Sequence, residues 1–150
     1  MNAPLKRVLF VCIGNSCRSQ MAEGFARAYG SDVLVPASAG LGPAHRVAPD
    51  TIDAMQEKGI DLRDHFPKGI KHLGRIEFDL VINMSGSAIP ETFRCEVREW
   101  DVEDPVYLRF EEHCVVRDEI EKRVMNLILE LRRDQKHPSL RPSGSGHVPR

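Results

Sequence analysis

Several features that would assign this chain to a class at once are missing from its sequence. No apolar run approaches the roughly 20 residues that cross a membrane, and residues 1–4 do not open a signal peptide. The formal net charge is only −1, with 21 basic and 22 acidic residues interspersed. The composition therefore predicts no nucleic-acid or membrane partner, and the chain is expected to be cytoplasmic.

Cysteine and aromatic residues are also scarce. Aromatic residues make up 6% of the chain, and the four cysteines are Cys12, Cys17, Cys95 and Cys114. No pair of CxxC motifs is present, so the sequence predicts no metal site. In a reducing compartment the cysteines are expected to be free thiols, at least one of which takes part in chemistry.

The sequence does contain clear hydrophobic periodicity. Apolar runs predict four strands, at residues 5–11, 32–37, 78–84 and 97–100. Helical spacing predicts three helices, at residues 18–29, 49–59 and 116–131. This alternation predicts an α/β fold in three layers, a four-stranded parallel sheet with helices on both faces.

The remaining segments show weaker hydrophobic periodicity. Residues 61–75 are expected to be irregular, and residues 88–93 to hold a short helical turn. A chain of 150 residues fits one domain, which we assign to residues 1–136. Residues 137–150 have no periodicity and many breakers, so they are predicted to be a disordered tail that resembles, in part, a linker and protease-site remnant.

The most informative stretch joins the first strand to the first helix. Cys12 ends the apolar run and Arg18 begins the helix. A loop of this length can curl so that its N–H groups and the helix N-terminus face a tetrahedral oxyanion. Gly14 and Asn15 are residue types that tolerate the positive φ angles of such a curl. The residues predicted to bind the anion are Ile13, Gly14, Asn15, Ser16, Cys17 and Arg18.

Three side chains of this stretch have predicted chemical roles. Cys12 is the candidate nucleophile, because N–H donors and the helix dipole stabilise a thiolate. Arg18 offers a planar fork to two oxygens of the anion, and Ser19 can donate its hydroxyl to the cysteine sulfur as leaving group. The alternative is a buried structural cysteine followed by an arginine at a helix start, since the bare Cys-x5-Arg spacing also occurs by chance.

Residues 12–24, CIGNSCRSQMAEG, resemble the signature of the low-molecular-weight protein tyrosine phosphatase superfamily. Within it they resemble the arsenate reductase branch more, because Gln20 stands where the phosphatases usually have proline. The resemblance continues through residues 38–40, 59–61, 104–105 and 116–120, and covers the chain to about residue 133.

The resemblance implies further site residues. It makes Asp104 the acid that protonates a leaving oxygen, whereas an aspartate before proline is otherwise common in turns. It also implies a network in which Ser19, Ser38 and His65 support the loop through Asn15; the alternative is two loop residues and a surface histidine. The other five histidines are expected to be exposed.

Two cysteines are candidates for redox roles. The resemblance suggests that mild oxidation joins Cys17 to Cys12 and protects the nucleophile, although Cys17 is equally interpretable as a small residue facing the core. Cys95 lies in a connecting loop, where it is either an ordinary residue or a redox participant. Cys114 is expected to serve packing.

The chain departs from the family pattern at two places. Thioredoxin-coupled arsenate reductases carry two further cysteines after the third strand, at the positions that Met84 and Glu91 occupy here. Tyrosine phosphatases flank their pocket with aromatic residues, whereas Val106 follows the Asp-Pro pair, residues 41–48 contain no aromatic, and Tyr107 is one position late. A pocket without aromatic walls suits a small inorganic oxyanion.

Three functions therefore stay open. The first is an arsenate reductase-like enzyme without a bound cofactor, whose Cys12 adduct is resolved by glutathione or mycothiol with a glutaredoxin-like partner. The second is a low-molecular-weight tyrosine or aryl phosphatase. The third is a non-catalytic oxyanion-binding module, against which the combination of Cys12, Arg18, Ser19 and Asp104 argues.

Overall fold

Strands and helices alternate along the chain as the sequence predicts. The structure is a computed structural model that describes residues 4–136, so the predicted tail at 137–150 lies outside the described residues. Its strands are β1 (Lys6–Cys12), β2 (Leu34–Gly40), β3 (Leu80–Asn83) and β4 (Glu96–Glu99). Its α-helices are α1 (Arg18–Tyr29), α2 (Pro49–Gln56) and α3 (Phe110–Lys136).

The four strands form one parallel sheet in the order β2-β1-β3-β4. Cys12 pairs with Gly40, and Val11 pairs with Asn83, so the carboxyl ends of β2, β1 and β3 meet at one edge. In sheets of this kind ligands bind beyond that edge. The predicted α/β fold with a four-stranded parallel sheet is confirmed.

The two faces of the sheet bury different clusters because successive strand residues point to opposite sides. The larger cluster contains Phe10 and Cys12 of β1 and residues from all three α-helices. The smaller cluster contains Leu9 and Val11, and it is covered by loop residues and by the 3₁₀-helix Ile70–Leu73. The three α-helices thus all lie on the face to which the Cys12 side chain points. Helices were predicted on both faces, but on the second face the structure has the 3₁₀-helix and loops.

The last helix, α3, is the longest element. The helical spacing of its apolar residues is the feature from which the sequence predicts it. Its buried residues recur every three or four positions, and they include Val116, Ile120, Val124, Leu127, Ile128 and Leu131. Within residues 4–136, no helix combines the length and the apolar character that crossing a membrane requires.

Three segments differ from the sequence prediction. The second strand was predicted to end at residue 37, but β2 continues through residues 38–40 because its pairing with β1 runs on to Cys12. Residues 88–93 form bends and irregular chain instead of a helical turn. The segment 61–75 is not wholly irregular, since it contains the 3₁₀-helix.

Candidate active site

The loop from Cys12 to Arg18, here called the anion loop, turns its carbonyl groups outward. The backbone amides of residues 41, 42, 44 and 48 donate hydrogen bonds of 2.8–3.0 Å to the carbonyls of residues 12, 13, 14 and 16. The N–H and C=O groups of a planar trans peptide point in opposite directions. The N–H groups of the anion loop are therefore left to face inward, as a nest for an anion requires.

Gly40, the last residue of β2, lies directly against the anion loop. A Cβ atom at this position would stand 2.6 Å from the Ile13 carbonyl oxygen and 2.8 Å from the Asn15 amide nitrogen. Side chains do not tolerate contacts this close to backbone atoms. Glycine is therefore the residue that lets β2 approach and support the loop.

Asn15 has a left-handed backbone conformation within the anion loop. Its φ angle is 52°, and no other non-glycine residue between 4 and 136 has a positive φ. Asparagine adopts this left-handed conformation more readily than most residues. Gly14, the other residue type predicted to tolerate a positive φ, does not adopt one.

The side chain of Asn15 is held by hydrogen bonds on both ends. Its Nδ2 donates to Ser19 Oγ at 2.7 Å and to Ser38 Oγ at 3.0 Å, and all three residues are buried. Ser38 Oγ donates in turn to Glu23 Oε1 at 2.5 Å. The structure thus brings together three of the four residues of the predicted supporting network, and it adds Glu23.

Gln20 and the Lys68 backbone complete this network, and sequence reasoning missed both. Gln20 Nε2 lies 3.1 Å from Asn15 Oδ1, and the Lys68 amide donates to the same oxygen at 3.0 Å. His65 Nδ1 lies 2.9 Å from Gln20 Oε1, so it joins the network through Gln20 instead of contacting Asn15. The sequence feature that could have indicated a role for Gln20 in this network is its position next to Ser19 at the start of α1.

Ser19 stands between Asn15 and the candidate nucleophile. Its Oγ lies 2.8 Å from Cys12 Sγ, and both side chains are buried. Because Ser19 Oγ accepts the hydrogen bond from Asn15, its own hydroxyl hydrogen can point to the sulfur. This arrangement lets Ser19 donate its hydroxyl to the Cys12 sulfur, as its predicted role toward a leaving sulfur requires.

Arg18 is 5% exposed, and most of its donors already have partners. Nη1 donates to the carbonyls of Met84 and Val102, and Nη2 lies 3.4 Å from Asp104 Oδ2. Nε is the one buried side-chain nitrogen or oxygen of the described residues that has no hydrogen-bond partner. An unpaired buried donor costs about 1–3 kcal/mol, so this edge of the guanidinium suits an oxygen of a bound anion.

Asp104 lies at the mouth of the cavity that the anion loop encloses. Its Oδ1 accepts the Val106 amide at 3.1 Å, which orients the carboxylate, and its side chain is 42% exposed. The cavity measures about 270 Å³. It is lined by Cys12, Ile13, Gly14, Ser16, Cys17, Arg18, Ala44, Asp104, Val106 and Tyr107.

Tyr107 corrects the expectation of a pocket without aromatic residues. Although it lies one position later than the family pattern places an aromatic, it lines the mouth of the cavity. The side chain is 96% exposed, so almost no other residue covers its ring. One aromatic face is therefore available at the entrance.

The other three cysteines occupy environments unlike that of Cys12, and all four thiols are free. Cys17 is buried and lines the same cavity, and its burial raises the pKa of its thiol. Cys95 packs against the cluster on the opposite face of the sheet, where burial also raises the pKa of its thiol. Cys114 belongs to neither cluster, and its Sγ lies 3.8 Å from Glu57 Oε1.

One histidine contradicts the expectation that the histidines other than His65 are exposed. His113 is 1% exposed, and its Nε2 lies 2.8 Å from the hydroxyl of Thr51, which is fully buried. His45 and His72 are exposed as expected. The signal for His113 was its spacing, three residues before Val116 on the apolar face of α3. Among the described residues, no group of three or more histidine, cysteine or acidic side chains could hold a metal ion.

Known proteins are similar to this chain in both sequence and fold. A family model described as low molecular weight phosphotyrosine protein phosphatase matches residues 7–137. A glutaredoxin arsenate reductase from Synechocystis sp. is 39% identical over 131 residues, which cover 85% of this chain and 99% of that protein. An arsenate reductase structure in the phosphate-binding state is 37% identical, with a TM-score of 0.76, and covers 85% of this chain and 99% of its own.

A phosphatase shares the fold as well. The low molecular weight protein tyrosine phosphatase from T. tengcongensis is 30% identical, with a TM-score of 0.70, over 83% of this chain and 99% of its own. These matches confirm the resemblance that residues 12–24 predict. The chain belongs to the low molecular weight phosphotyrosine protein phosphatase family.

Proposed function

We propose that this protein is an arsenate reductase in which Cys12 forms the covalent adduct and a thiol from outside the chain resolves it. The observation that carries this proposal is that Cys12, Arg18 and Asp104 line one small cavity, and that the buried Nε of Arg18 has no hydrogen-bond partner. Relatives named arsenate reductases, which the chain matches over nearly their whole length, support the choice of arsenate over other oxyanions.

The first step joins sulfur to arsenic. The inward N–H groups of the anion loop and the Nε edge of Arg18 hold the oxygens of arsenate. The Cys12 thiolate attacks the arsenic atom, and a sulfur–arsenic bond forms while one arsenic–oxygen bond breaks. Asp104 donates the proton with which that oxygen leaves as water. Ser19 stabilises the thiolate before the attack.

The second step reduces arsenic. An external thiolate attacks the Cys12 sulfur, so a disulfide bond forms while the sulfur–arsenic bond breaks. The bonding electron pair leaves with arsenic, which falls from As(V) to As(III). A second external thiol then releases Cys12 from the mixed disulfide. Each arsenate thus yields one arsenite and one water while two thiols become one disulfide.

Cys95 is poorly placed to supply the resolving thiol, and Cys17, although it lines the same cavity as Cys12, has a raised pKa. Cys95 lies on the face of the sheet opposite Cys12, and burial raises the pKa of both Cys95 and Cys17. A raised pKa lowers the fraction of thiolate, which is the form that attacks. Met84 and Glu91 carry no thiol. We therefore infer that glutathione or mycothiol, with a glutaredoxin-like partner, resolves the adduct.

The test is the steady-state formation of arsenite from arsenate with different electron donors. We expect turnover with glutathione or mycothiol plus a glutaredoxin-like protein, little turnover with thioredoxin alone, and no effect of Cys95→Ser. Efficient turnover on thioredoxin that disappears in Cys95→Ser would make Cys95 the resolving thiol and overturn the external route. Cys114→Ser is the matched control, since Cys114 lies outside both buried clusters.

Tyr107 favours a second candidate, an aryl phosphatase. Its exposed ring at the cavity mouth can cover one face of a phenyl group, while Cys12 forms a cysteinyl phosphate and Asp104 serves as acid and then base. The same preparation is assayed with p-nitrophenyl phosphate. Aryl phosphate turnover that Tyr107→Ala weakens, together with no arsenate reduction on any donor, would assign the phosphatase function.

A further inference from the structure

A second cavity lies beside the anion loop, on the face of the sheet opposite the Cys12 side chain. It measures about 510 Å³, which is within the range of small-molecule sites and larger than the cavity that the anion loop encloses. The proposed chemistry uses none of its side chains. It is lined by Gly40, Leu41, Gly69, Ile70, Lys71, Pro90 and Glu91, none of which lines the cavity of the anion loop.

Backbone pairing and a buried cluster fix one wall of this second cavity. Gly40 and Gly69 form a parallel bridge, and the Gly40 amide donates to the Lys68 carbonyl at 2.8 Å. Leu41 and Ile70 pack against the smaller buried cluster of the sheet. The fold itself therefore holds this wall in place, so little ordering has to accompany the binding of a ligand.

Two opposite charges line the same cavity. Lys71 belongs to the 3₁₀-helix and is exposed, and Glu91, between β3 and β4, is partly buried. Within residues 4–136, neither side chain takes part in a hydrogen bond or an ion pair, so the two do not pair with each other. Both charges are therefore available to a ligand in the cavity.

The chemistry of the lining selects one class of ligand. Its leucine, isoleucine and proline side chains offer apolar surface to an uncharged middle. Lys71 can donate to a carboxylate and Glu91 can accept from an ammonium, in charge-assisted hydrogen bonds. A simple anion or cation would leave one of the two charges without a partner, and a single carboxylate supplies too few ligands for a metal ion.

We propose that this second cavity binds a short zwitterionic peptide, whose carboxylate faces Lys71 and whose ammonium faces Glu91. Because the two side chains do not pair directly, the ligand has to carry its charges apart, as a peptide does at its two ends. An extended dipeptide spans about 7 Å. Binding here is independent of the Cys12 chemistry, so it is tested without turnover.

The probe is dialanine, which has apolar side chains and opposite charges at its ends. It is titrated into the full chain and followed by NMR of the backbone amides. We expect saturable shifts of the amides of residues 40, 41, 69, 70 and 91, with a Kd of about 1 mM or below. Shifts confined to residues 13–18 would place the probe in the anion loop and overturn the proposal. The absence of saturable shifts up to about 20 mM would do the same.

Two capped forms of the probe test the need for both charges. N-acetyl-dialanine lacks the ammonium, and dialanine amide lacks the carboxylate. Each should bind about threefold to tenfold more weakly than dialanine, because it loses one charge-assisted hydrogen bond at a partly exposed site. Equal affinity of the three forms would show that apolar contacts alone hold the probe, and it would overturn the proposal.

Substitutions test which charge faces which end. Lys71→Gln should weaken the binding of dialanine but not that of dialanine amide, which has no carboxylate to lose. Glu91→Gln should weaken the binding of dialanine but not that of N-acetyl-dialanine. Both variants should fold like the wild type, because neither side chain gives up a partner within residues 4–136. Equal losses for the capped and the uncapped probe would overturn the proposal.

The matched controls are Lys122→Gln and Glu111→Gln, which neutralise exposed charges of α3 outside the cavity. They should leave the affinity for dialanine within about twofold of the wild-type value, since exposed charges at a distance are screened. Losses in these controls as large as those in Lys71→Gln and Glu91→Gln would show a general effect of charge and overturn the proposal.

Discussion

Arg18 Nη2 lies 3.4 Å from Asp104 Oδ2, beside an Nε that has no partner. The carbonyls of Met84 and Val102 hold Nη1, so the guanidinium cannot turn away from this position. One arginine thus contacts the candidate acid and presents a free donor edge at the same time. The contributions of the nucleophile, the acid and the anion loop to activity and binding are tested by substituting one residue at a time.

Cys12→Ser tests the nucleophile. The substitution keeps the shape of the anion loop but removes the thiolate, so we expect turnover of arsenate and of aryl phosphate to disappear. Binding of inorganic phosphate, measured by calorimetry, should persist because the N–H groups and Arg18 are unchanged. Turnover within tenfold of the wild-type rate would exclude Cys12 as the nucleophile.

Asp104→Asn tests the general acid. It preserves the size of the side chain and removes the proton, so we expect a rate loss of about 10²–10⁴. The loss should be larger for phenyl phosphate than for p-nitrophenyl phosphate, whose leaving group needs less help. Glu103→Gln is the matched control, since this neighbouring carboxylate does not line the cavity. If the rate on phenyl phosphate fell no more than the rate on p-nitrophenyl phosphate, Asp104 would be a turn residue without a role as acid.

Gly40→Ala tests the close approach of β2 to the anion loop. The new Cβ would overlap the Ile13 carbonyl, so we expect a loss of about 1–3 kcal/mol in the free energy of unfolding and weaker phosphate binding. Gly42→Ala is the control, because a Cβ there meets nothing within 4 Å. Chemical denaturation and calorimetry provide the two measurements. Indistinguishable behaviour of the two variants would show that the loop adapts without cost.

Peroxide treatment tests the redox role of Cys17, which stays a prediction. Cys12 and Cys17 line the same cavity, so a Cys12 sulfenic acid can be captured as a disulfide. We expect inactivation that dithiothreitol reverses, and a peptide map that contains the 12–17 bridge. In Cys17→Ser the inactivation should become irreversible. A map that shows only over-oxidised Cys12 in the wild-type protein would contradict a protective role.

Acid titration of stability tests the burial of His113. Desolvation lowers its pKa from the usual 6.5, so the unfolded chain binds the proton more readily than the folded one. The corresponding contribution to the free energy of unfolding is complete above pH 6.5 and is lost as the pH falls through the lowered value. Urea unfolding should therefore show a smaller loss of stability on acidification in His113→Gln than in the wild type. Parallel pH profiles would contradict this.

Local chemistry made much of the site predictable. Strand, loop and helix follow each other within residues 6–29, and the helix from Arg18 to Tyr29 has the predicted bounds. Asn15 takes the positive φ because its residue type tolerates it, and Ser19 meets Cys12 because the two flank the same short loop. Such features depend on neighbours in sequence, so residue type and spacing determine them.

Pairing between distant segments decided what the sequence did not show. β2 runs on to Gly40 only because β1 continues beside it. The amides of residues 41–48 turn the anion-loop carbonyls outward, and the Lys68 amide reaches Asn15 across 53 positions of sequence. No local pattern indicates which backbone group fills a given acceptor, because these contacts form only when the sheet is assembled.

The sequence by itself determined which reactive groups this protein carries: a thiol, a guanidinium, a hydroxyl and a carboxylate around an anion loop. Only the tertiary structure decided which of them are free to act. Arg18 Nε is unpaired while distant carbonyls fill Nη1, and His113 is buried where α3 meets Thr51 of α2. The physical reason is that a buried polar group must find its partners wherever the packed chain places them.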